Sequence, residues 1–224
     1  MKFGEASGRL AAEFNPFTDE YLGEIFQAVA MAWARMRQPK LKEWEDEITY
    51  RLAGRLQNDP TLPTLPYDIV PQYWLLDLDG HRLGRLDLRF KHRHSHRDYF
   101  AFESKRLHVT YPGGTLSTEY PTYVSDEGMG AFVTGQYSKG FPAAGMLGYV
   151  MDGNTGKAWT GLAAHIETKR ADLRLLTASR LAESSLKRHI ESVSLDTRLG
   201  ETQHDLSPHV LRLFHLLLPV KRRF

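Results

Sequence analysis

Two short segments with alternating apolar and polar residues constrain this chain most, because alternation with a period of two predicts β-strands. Residues 84–90 carry Asp87, and residues 99–107 carry Glu103 and Lys105. If the two strands pair, two carboxylates and one ammonium meet on one surface of a sheet. In the first strand, the side chains of Leu86, Leu88 and Phe90 are predicted to face one side of the sheet and that of Asp87 the other. In the second strand, Phe100 and Phe102 are predicted to face one side, and Ala101, Glu103 and Lys105 the other.

A surface of this kind can hold Mg²⁺ or Mn²⁺, since hard cations take oxygen ligands. Divalent ions can activate a water, neutralise phosphoryl oxygens and assist the leaving alkoxide in phosphodiester cleavage. Asp87 and Glu103 are the candidate ligands, with the backbone carbonyl of Ser104 as a third oxygen. Lys105 would orient or deprotonate the water, or place positive charge beside the phosphorus. Action as a base requires a lowered pKa, and the sequence leaves these roles open.

The order and spacing of these residues resemble the PD-(D/E)xK nuclease superfamily, which has the restriction-endonuclease-like fold. Leu86 occupies the position where that family's pattern has a proline before the acid. The resemblance covers residues 41–150 and implies an α/β fold with a mixed central β-sheet flanked by helices. It also implies an acid on the helix before the sheet. We assign Glu47 to that place, with Glu43 one turn earlier as the reserve.

An ordinary salt-bridge cluster on a solvated sheet face is the alternative interpretation of Asp87, Glu103 and Lys105, because charge pairs are common on antiparallel sheets. The apolar neighbours of Glu103 favour the nuclease hypothesis. A buried carboxylate without a metal or a partner is costly.

Periodicity and turn signals predict the other elements. We expect helices over residues 18–37 and 41–57, a proline-rich loop over 58–72, a hairpin with strands 73–78 and 82–90 and a strand over 146–151. A helix should follow from residue 155 or 159, be broken or redirected, and continue over 170–193, and the closing segment over 209–220 is a strand or a short helix, with a strand favoured. The prediction is a single nuclease-like domain over 1–224, made of an N-terminal helical extension (1–40), a catalytic core (41–150) and a C-terminal helix with a closing element (151–224).

Several basic and polar residues near the predicted strands are candidate contacts to nucleic acid. They are Lys91, Arg93 and Arg97 in the connection between the two acidic strands, and Gln136 and Lys139, which the resemblance implies on a following helix. A solvated loop tip explains the basic connection equally well. His92, His94 and His96 could ligate a transition metal, although alternate residues on a loop make a poor preformed site.

Composition limits the remaining classes. The chain has 224 residues, 42% of them hydrophobic, which is enough for one good core, and its net charge of +2 gives no general nucleic-acid signal. It has no cysteine, which excludes disulfides and cysteine-based zinc sites. The first 20 residues lack the apolar stretch of a signal peptide, and no apolar run is long enough to span a membrane. We therefore expect a cytoplasmic protein without a membrane partner.

These observations predict a Mg²⁺- or Mn²⁺-dependent endonuclease that acts on nucleic acid, with DNA favoured over RNA. The resemblance extends to small stand-alone bacterial proteins, some of which are effectors against phage. A homodimer would supply two active sites for two strands, and a partner protein would supply specificity. The alternative is a catalytically inactive module of the same fold that binds nucleic acid or protein.

Overall fold

A mixed seven-stranded sheet organises the part of the chain that the computed structural model describes, residues 18–93, 98–137 and 140–221. The strands are β1 (Tyr67–Leu76), β2 (Arg82–His92), β3 (Tyr99–Leu107), β6 (Ala143–Val150), β7 (Ala182–Glu183), β8 (Arg198–Asp205) and β9 (Val210–Pro219), with β4 (Val109–Thr110) and β5 (Leu116–Ser117) in a separate pair. The helices are α1 (Asp19–Arg35), α2 (Glu45–Asn58), α3 (Tyr120–Val124), α4 (Met129–Val133) and α5 (Thr155–Thr168), with a 3₁₀ turn at Ser185–His189.

The strands lie in the order β1-β2-β3-β6-β9-β8-β7. The central strands β3, β6 and β9 are parallel, and the outer pairs on both sides are antiparallel. Helices connect the parallel strands, as crossover connections require. The prediction of an α/β fold with a mixed sheet flanked by helices is therefore confirmed.

Two apolar cores cover the two faces of this sheet. On the first face, α1 and α2 pack against β3, β6 and β9, and the ring of Phe26 lies 5.8 Å from Phe100 and 5.1 Å from Phe214. On the second face, α3, α4 and α5 pack against the same strands. Because β3, β6 and β9 are covered on both faces, side chains of β3 such as Glu103 and Lys105 are buried although they are charged.

The predicted first helix is confirmed, and the second begins later than expected. Helix α1 follows Thr18 and carries Asp19 and Glu20 in its first turn, where acids interact favourably with the helix dipole. Helix α2 begins at Glu45 rather than near residue 41. The backbone N–H of Trp44 donates to Oε2 of Glu47 at 3.0 Å, which fixes the start of the helix there.

The proline-rich segment ends earlier than predicted, because β1 already begins at Tyr67 and includes Pro71. A proline lacks the N–H that a ladder needs, and edge strands tolerate this loss. Strand β1 is the edge of the sheet, so it can hold Pro71 opposite Leu88 of β2. The Asp79-Gly80 turn and the closing strand β9 lie where the sequence predicts them.

The helix predicted to begin near residue 155 is confirmed as α5, but its predicted continuation over 170–193 is wrong. Its leucines do not share one face, because Leu173 and Leu181 belong to the core on the second face and Leu186 belongs to the core on the first. The segment passes around the β7 edge of the sheet as turns, and Leu176 donates its backbone N–H to Gln203 of β8. The spacing of the leucines predicts a helix, but the pairing of this segment with β8 prevents one from forming.

Candidate active site

The acid of the first predicted strand lies where β2 and β3 separate. The two strands pair only from Lys91 with Tyr99 to Leu88 with Phe102. Beyond that point the side chain of Asp87 takes the place of the ladder. Its Oδ2 accepts the backbone N–H of Ser104 at 2.8 Å and the Ser104 hydroxyl at 2.7 Å. Asp87 is therefore anchored directly to the strand that carries Glu103 and Lys105.

The separation of the strands corrects one sequence prediction. Leu88 and Phe90 pack on the first face of the sheet, as alternation predicts, but Leu86 packs in the core on the second face. Alternation along β2 is therefore broken next to Asp87. This break lets the Asp87 carboxylate turn toward the backbone of β3 instead of standing perpendicular to the sheet.

Glu103 and Lys105 lie on β3 and point to the same side, as predicted. They are 5% and 9% exposed, and the Lys105 ammonium lies 2.6 Å from Oε1 of Glu103. The second oxygen of the Glu103 carboxylate, Oε2, is buried and has no hydrogen-bond partner. An unpartnered buried carboxylate oxygen costs free energy in proportion to its lost hydration, so it marks a place where a ligand would be stabilised.

The helix acid that reaches this cluster is Glu45, and neither Glu47 nor Glu43 does so. Oε1 of Glu45 lies 3.4 Å from the Lys105 ammonium, and Oε2 accepts the backbone N–H of Arg106 at 2.8 Å. Glu47 is exposed and is used in the cap of α2. Glu43 precedes the helix and forms an ion pair with Arg51. The prediction failed because it placed the start of the helix four residues too early.

Gln72 is a further member of the cluster that the sequence did not reveal. Its side-chain amide donates to Oδ1 of Asp87 at 3.1 Å and lies 3.4 Å from Oδ1 of Asp46. Its backbone has φ of 51°, a left-handed conformation that is uncommon for residues other than glycine. The edge strand β1 therefore bends at Gln72 and brings the amide to Asp87.

Hydroxyl groups support Asp87 from the first face of the sheet. The Ser104 hydroxyl, which donates to Asp87, lies 3.0 Å from the Thr49 hydroxyl, and the Thr49 hydroxyl lies 2.9 Å from the Tyr149 hydroxyl. The N–H and C=O of one residue point to the same edge of a strand. Since the Ser104 N–H faces Asp87, we expect the Ser104 carbonyl to face the same gap.

The carboxylates of this cluster repel one another. Burial, followed by the nearby Asp87 carboxylate, raises the pKa of Glu103 well above its ordinary value, although Lys105 opposes the effect. Burial also raises the pKa of Glu45 to about 7. Burial alone would lower the pKa of Lys105, but Glu103 and Glu45 reverse this and raise it. Lys105 is therefore held as an ammonium, which disagrees with the role of a base in this state.

The donor set suits a hard divalent cation. Buried Asp87 and Glu103, together with half-buried Glu45, place three carboxyl groups around one ammonium, and burial and their mutual repulsion raise the pKa values of Glu103 and Glu45. A divalent cation would stabilise the ionised forms of these carboxyl groups and would bind the unpartnered Oε2 of Glu103. Asp87, Glu103 and the Ser104 carbonyl are the residues that would hold it.

A second acidic group lies at the tip of the β1–β2 hairpin. Among the described residues, only Asp77, Asp79 and His81 bring three candidate ligand atoms within 4.8 Å of one another. Oδ1 of Asp77 accepts the backbone N–H groups of Asp79 and His81 at 2.9 and 2.8 Å. These contacts explain the cluster as part of an exposed turn.

The predicted nucleic-acid contacts are spread over two ends of β2. Strands rise about 3.3 Å per residue, which places Arg93 about 20 Å along β2 from Asp87. Arg93 pairs with Asp68 at 3.3 Å, and Lys91 also lies toward that end. Gln136 follows the end of α4 rather than lying on the predicted helix, and it donates its side-chain amide to the Leu83 carbonyl, toward the other end of β2. Arg97 and Lys139, and also His94 and His96, lie outside the described residues.

Comparison of the chain with protein-family models, curated proteins and solved structures gave no match. Within the described ranges, none of the helices has the length and apolar character needed to cross a membrane.

Proposed function

We propose that this protein is a metal-dependent endonuclease with a PD-(D/E)xK-type site on a restriction-endonuclease-like sheet. The observation that carries the proposal is the cluster of buried Asp87 and Glu103 and half-buried Glu45 around Lys105, with Oε2 of Glu103 unpartnered. In a salt bridge with only a structural role, each buried carboxylate would be paired with a cation. This cluster contains more buried carboxylates than cations, which is costly unless a ligand compensates it.

The side chains fall into distinct roles. Mg²⁺ or Mn²⁺, when bound, would polarise the phosphoryl oxygens and lower the pKa of a water. Asp87 and Glu103 bind the cation, and Gln72 and Ser104 orient Asp87 through hydrogen bonds. Glu45 carries a carboxyl with a pKa of about 7, so it can hold or release a proton near neutral pH.

Lys105 acts through its positive charge in this proposal. Its ammonium donates to Glu103 and lies beside Glu45. In that position it can orient a water or contact a nonbridging phosphate oxygen, and both actions need the protonated form. A role as base would require a lower pKa than the contacts with these two acids produce.

The wider setting of the reaction follows from the resemblance rather than from the site. We propose DNA as the preferred nucleic acid and an antiviral effector role in bacteria. A homodimer would place two such sites on the two strands of a duplex, and a partner protein would direct the site to its target.

A nicking assay tests the proposal. Purified protein is incubated with supercoiled plasmid in Mg²⁺, in Mn²⁺ and in chelator, and conversion to open-circular and linear forms is measured. We expect cleavage only with a divalent ion, and loss of cleavage in Asp87→Asn, Glu103→Gln and Lys105→Met. The matched pair Glu45→Gln and Glu47→Gln lies on one helix, and only the first should slow cleavage.

Two outcomes would contradict the proposal. Cleavage that survives in Glu103→Gln would remove this cluster from the chemistry. Metal-independent binding of DNA without cleavage would favour the inactive binding module instead.

A further inference from the structure

The β1–β2 hairpin extends past the sheet beside the candidate active site. Strands β1 and β2 pair along their whole length, from Tyr67 with His92 to Leu76 with Arg82. Strand β3 accompanies β2 only as far as Leu88. The outer part of the hairpin, which we call the projecting hairpin (residues 73–86), therefore has no strand partner except itself. It begins next to Gln72 and ends next to Asp87.

A tryptophan on the projecting hairpin is exposed and is linked to the site. Trp74 is 42% exposed, and the guanidinium carbon of Arg82 lies 4.2 Å from its ring centroid. Arg85 lies 5.8 Å from the same ring and forms an ion pair with Asp46 at 3.0 Å. Asp46 is also within 3.4 Å of Gln72, which donates to Asp87. The indole is therefore connected to the anchored acid through Arg85, Asp46 and Gln72.

A second exposed tryptophan borders the cluster at the start of α2. Trp44 is 67% exposed, directly precedes Glu45 and lies 5.2 Å from the guanidinium carbon of Arg106. A cavity of about 420 Å³ beside Trp44 reaches Glu45 and Lys105 of the site. Its charged lining consists of the basic residues Lys105 and Arg106 and the acidic residues Glu45, Asp46, Glu119 and Glu127. The site therefore opens into a groove whose wall includes an indole ring.

We propose that Trp44 and Trp74 stack on unpaired bases, so that the substrate is a nucleic acid with single-stranded character at the cleaved phosphate. This inference rests on the proposed function for the identity of the reacting group. Base–aromatic stacking is insensitive to sequence, and arginine beside the ring can contact the adjoining phosphate. In a duplex the base faces are stacked on one another, and they would not be available to either indole.

The exposure of these rings supports a binding role. Large aromatic side chains stabilise a fold mainly through burial, and Trp44, at 67% exposed, and Trp74, at 42% exposed, bury less of their rings than a core tryptophan does. Each indole also has an arginine beside it, which supplies the positive charge that a phosphate backbone needs. Leu195 is also an exposed apolar side chain, but it is not paired with an arginine near the site.

Fluorescence anisotropy tests the inference in the Glu103→Gln protein, which cannot consume the probe under the proposal. The probes are one labelled 20-mer as single-stranded DNA, as the same sequence in RNA and as a blunt DNA duplex. We expect the single strands to bind at least tenfold more tightly than the duplex. Trp44→Ala and Trp74→Ala should each weaken single-strand binding by about tenfold and leave duplex binding unchanged.

Conservative variants separate stacking from general apolar contact. Trp74→Phe keeps an aromatic face and should retain most of the affinity, whereas Trp74→Leu should lose as much as Trp74→Ala. Leu195→Ala is the control, because it removes an exposed apolar side chain that lies outside this groove. Thermal unfolding of each variant checks that the fold is kept.

The outcomes distinguish this inference from the proposed function. Equal affinity for duplex and single strand, or unchanged affinity in both alanine variants, overturns the stacking inference while leaving metal-dependent cleavage intact. Single-strand binding that depends on both tryptophans, in a parent protein that never cleaves with any divalent ion, supports the inference as a binding surface and overturns the nuclease.

Discussion

Two buried polar networks lie in the same fold and differ in how completely they are satisfied. The first is the charged cluster, made of Asp87, Glu103, Lys105 and Glu45. The second, which we call the neutral chain, runs from Tyr123 through His215 and Thr202 to His204. Its last ring contacts the Leu173 carbonyl at 2.6 Å. Only the charged cluster has a carboxylate oxygen without a partner.

The hydrogen-bond partners along the neutral chain determine which side-chain atom carries each proton. A carbonyl only accepts, so Nδ1 of His204 donates to Leu173 and its Nε2 accepts from the Thr202 hydroxyl. The Thr202 oxygen then accepts from Nε2 of His215, whose Nδ1 accepts from the Tyr123 hydroxyl. Each side-chain group in this chain therefore has a partner without any net charge. A network of this kind rigidifies a core, while an unsatisfied one is suited to bind a ligand.

The largest expected effect separates activity from stability at the charged cluster. Glu103→Gln should reduce nicking by about a thousandfold, because it removes a ligand of the cation that would stabilise the developing negative charge. It should not lower the midpoint of thermal unfolding, because removing a poorly compensated buried charge relieves its desolvation. A nicking time course and a melting curve on the same preparation measure both. A large drop in the midpoint would instead assign Glu103 a structural role.

Cation binding should stabilise the charged cluster next most strongly. A ligand at a hundred times its dissociation constant adds about 2.7 kcal/mol to the free energy of unfolding, which corresponds to a rise of about 5–10 °C in a domain of this size. We expect Mn²⁺ to raise the unfolding midpoint of the parent in this way and to have little effect on Asp87→Asn. The variant Asp77→Asn should respond like the parent, and failure to do so would place the cation at the hairpin turn.

The sequence predicted the charged cluster better than the neutral chain, for a physical reason. Asp87, Glu103 and Lys105 lie on adjacent strands, so the predicted pairing of these strands brings them together even though alternation along β2 is broken at Leu86. Glu45 was missed because the position of one helix cap shifts every face of that helix, and the Glu47 cap was not recognised. Gln72 was missed because a single left-handed residue on an edge strand has no periodic signal.

The neutral chain illustrates what one sequence does not encode locally. Tyr123 and His215 are 92 positions apart, and they meet only because β6 and β9 are parallel neighbours under α3. Similarly, the leucines of 170–193 divide between two faces of the sheet, a division that spacing along the chain does not reveal. The presence of a strand can be predicted from the local sequence pattern. The neighbour with which that strand pairs cannot, because pairing depends on the tertiary fold.

Breaking the neutral chain at its centre should destabilise the fold by a smaller amount than cation binding stabilises it. Thr202→Val keeps the shape but leaves Nε2 of both histidines without a partner, at a cost of about 2 kcal/mol in the free energy of unfolding. Thr202→Ser keeps the hydroxyl and is the matched control. Denaturant unfolding measures both variants, and nicking by the folded protein should be unchanged. Equal stability of the two variants would show that the hydroxyl does not bridge the rings.

The smallest expected effect concerns how the free energy of unfolding depends on pH, because the two networks should contribute slopes of opposite sign. Burial, with a smaller contribution from His204, lowers the pKa of His215 to about 3 from its ordinary value of 6.5. Below pH 6.5 the unfolded chain therefore binds a proton that the folded protein excludes. The His215 contribution to stability is complete above pH 6.5 and falls by at most about 1.4 kcal/mol per pH unit as the pH decreases toward 3.

Glu45 should show the opposite slope, because its pKa is raised to about 7 in the folded protein. Between pH 7 and 4.5 the folded state binds the additional proton, so its stability rises as the pH falls. Urea unfolding of the parent, His215→Gln and Glu45→Gln at pH 7.5 and 5.5 isolates each contribution by difference. When the pH is lowered from 7.5 to 5.5, the free energy of unfolding of His215→Gln should increase relative to that of the parent. Over the same change, the free energy of unfolding of Glu45→Gln should decrease relative to that of the parent. Differences of the same sign would mean that the two networks do not differ in their protonation as the geometry requires.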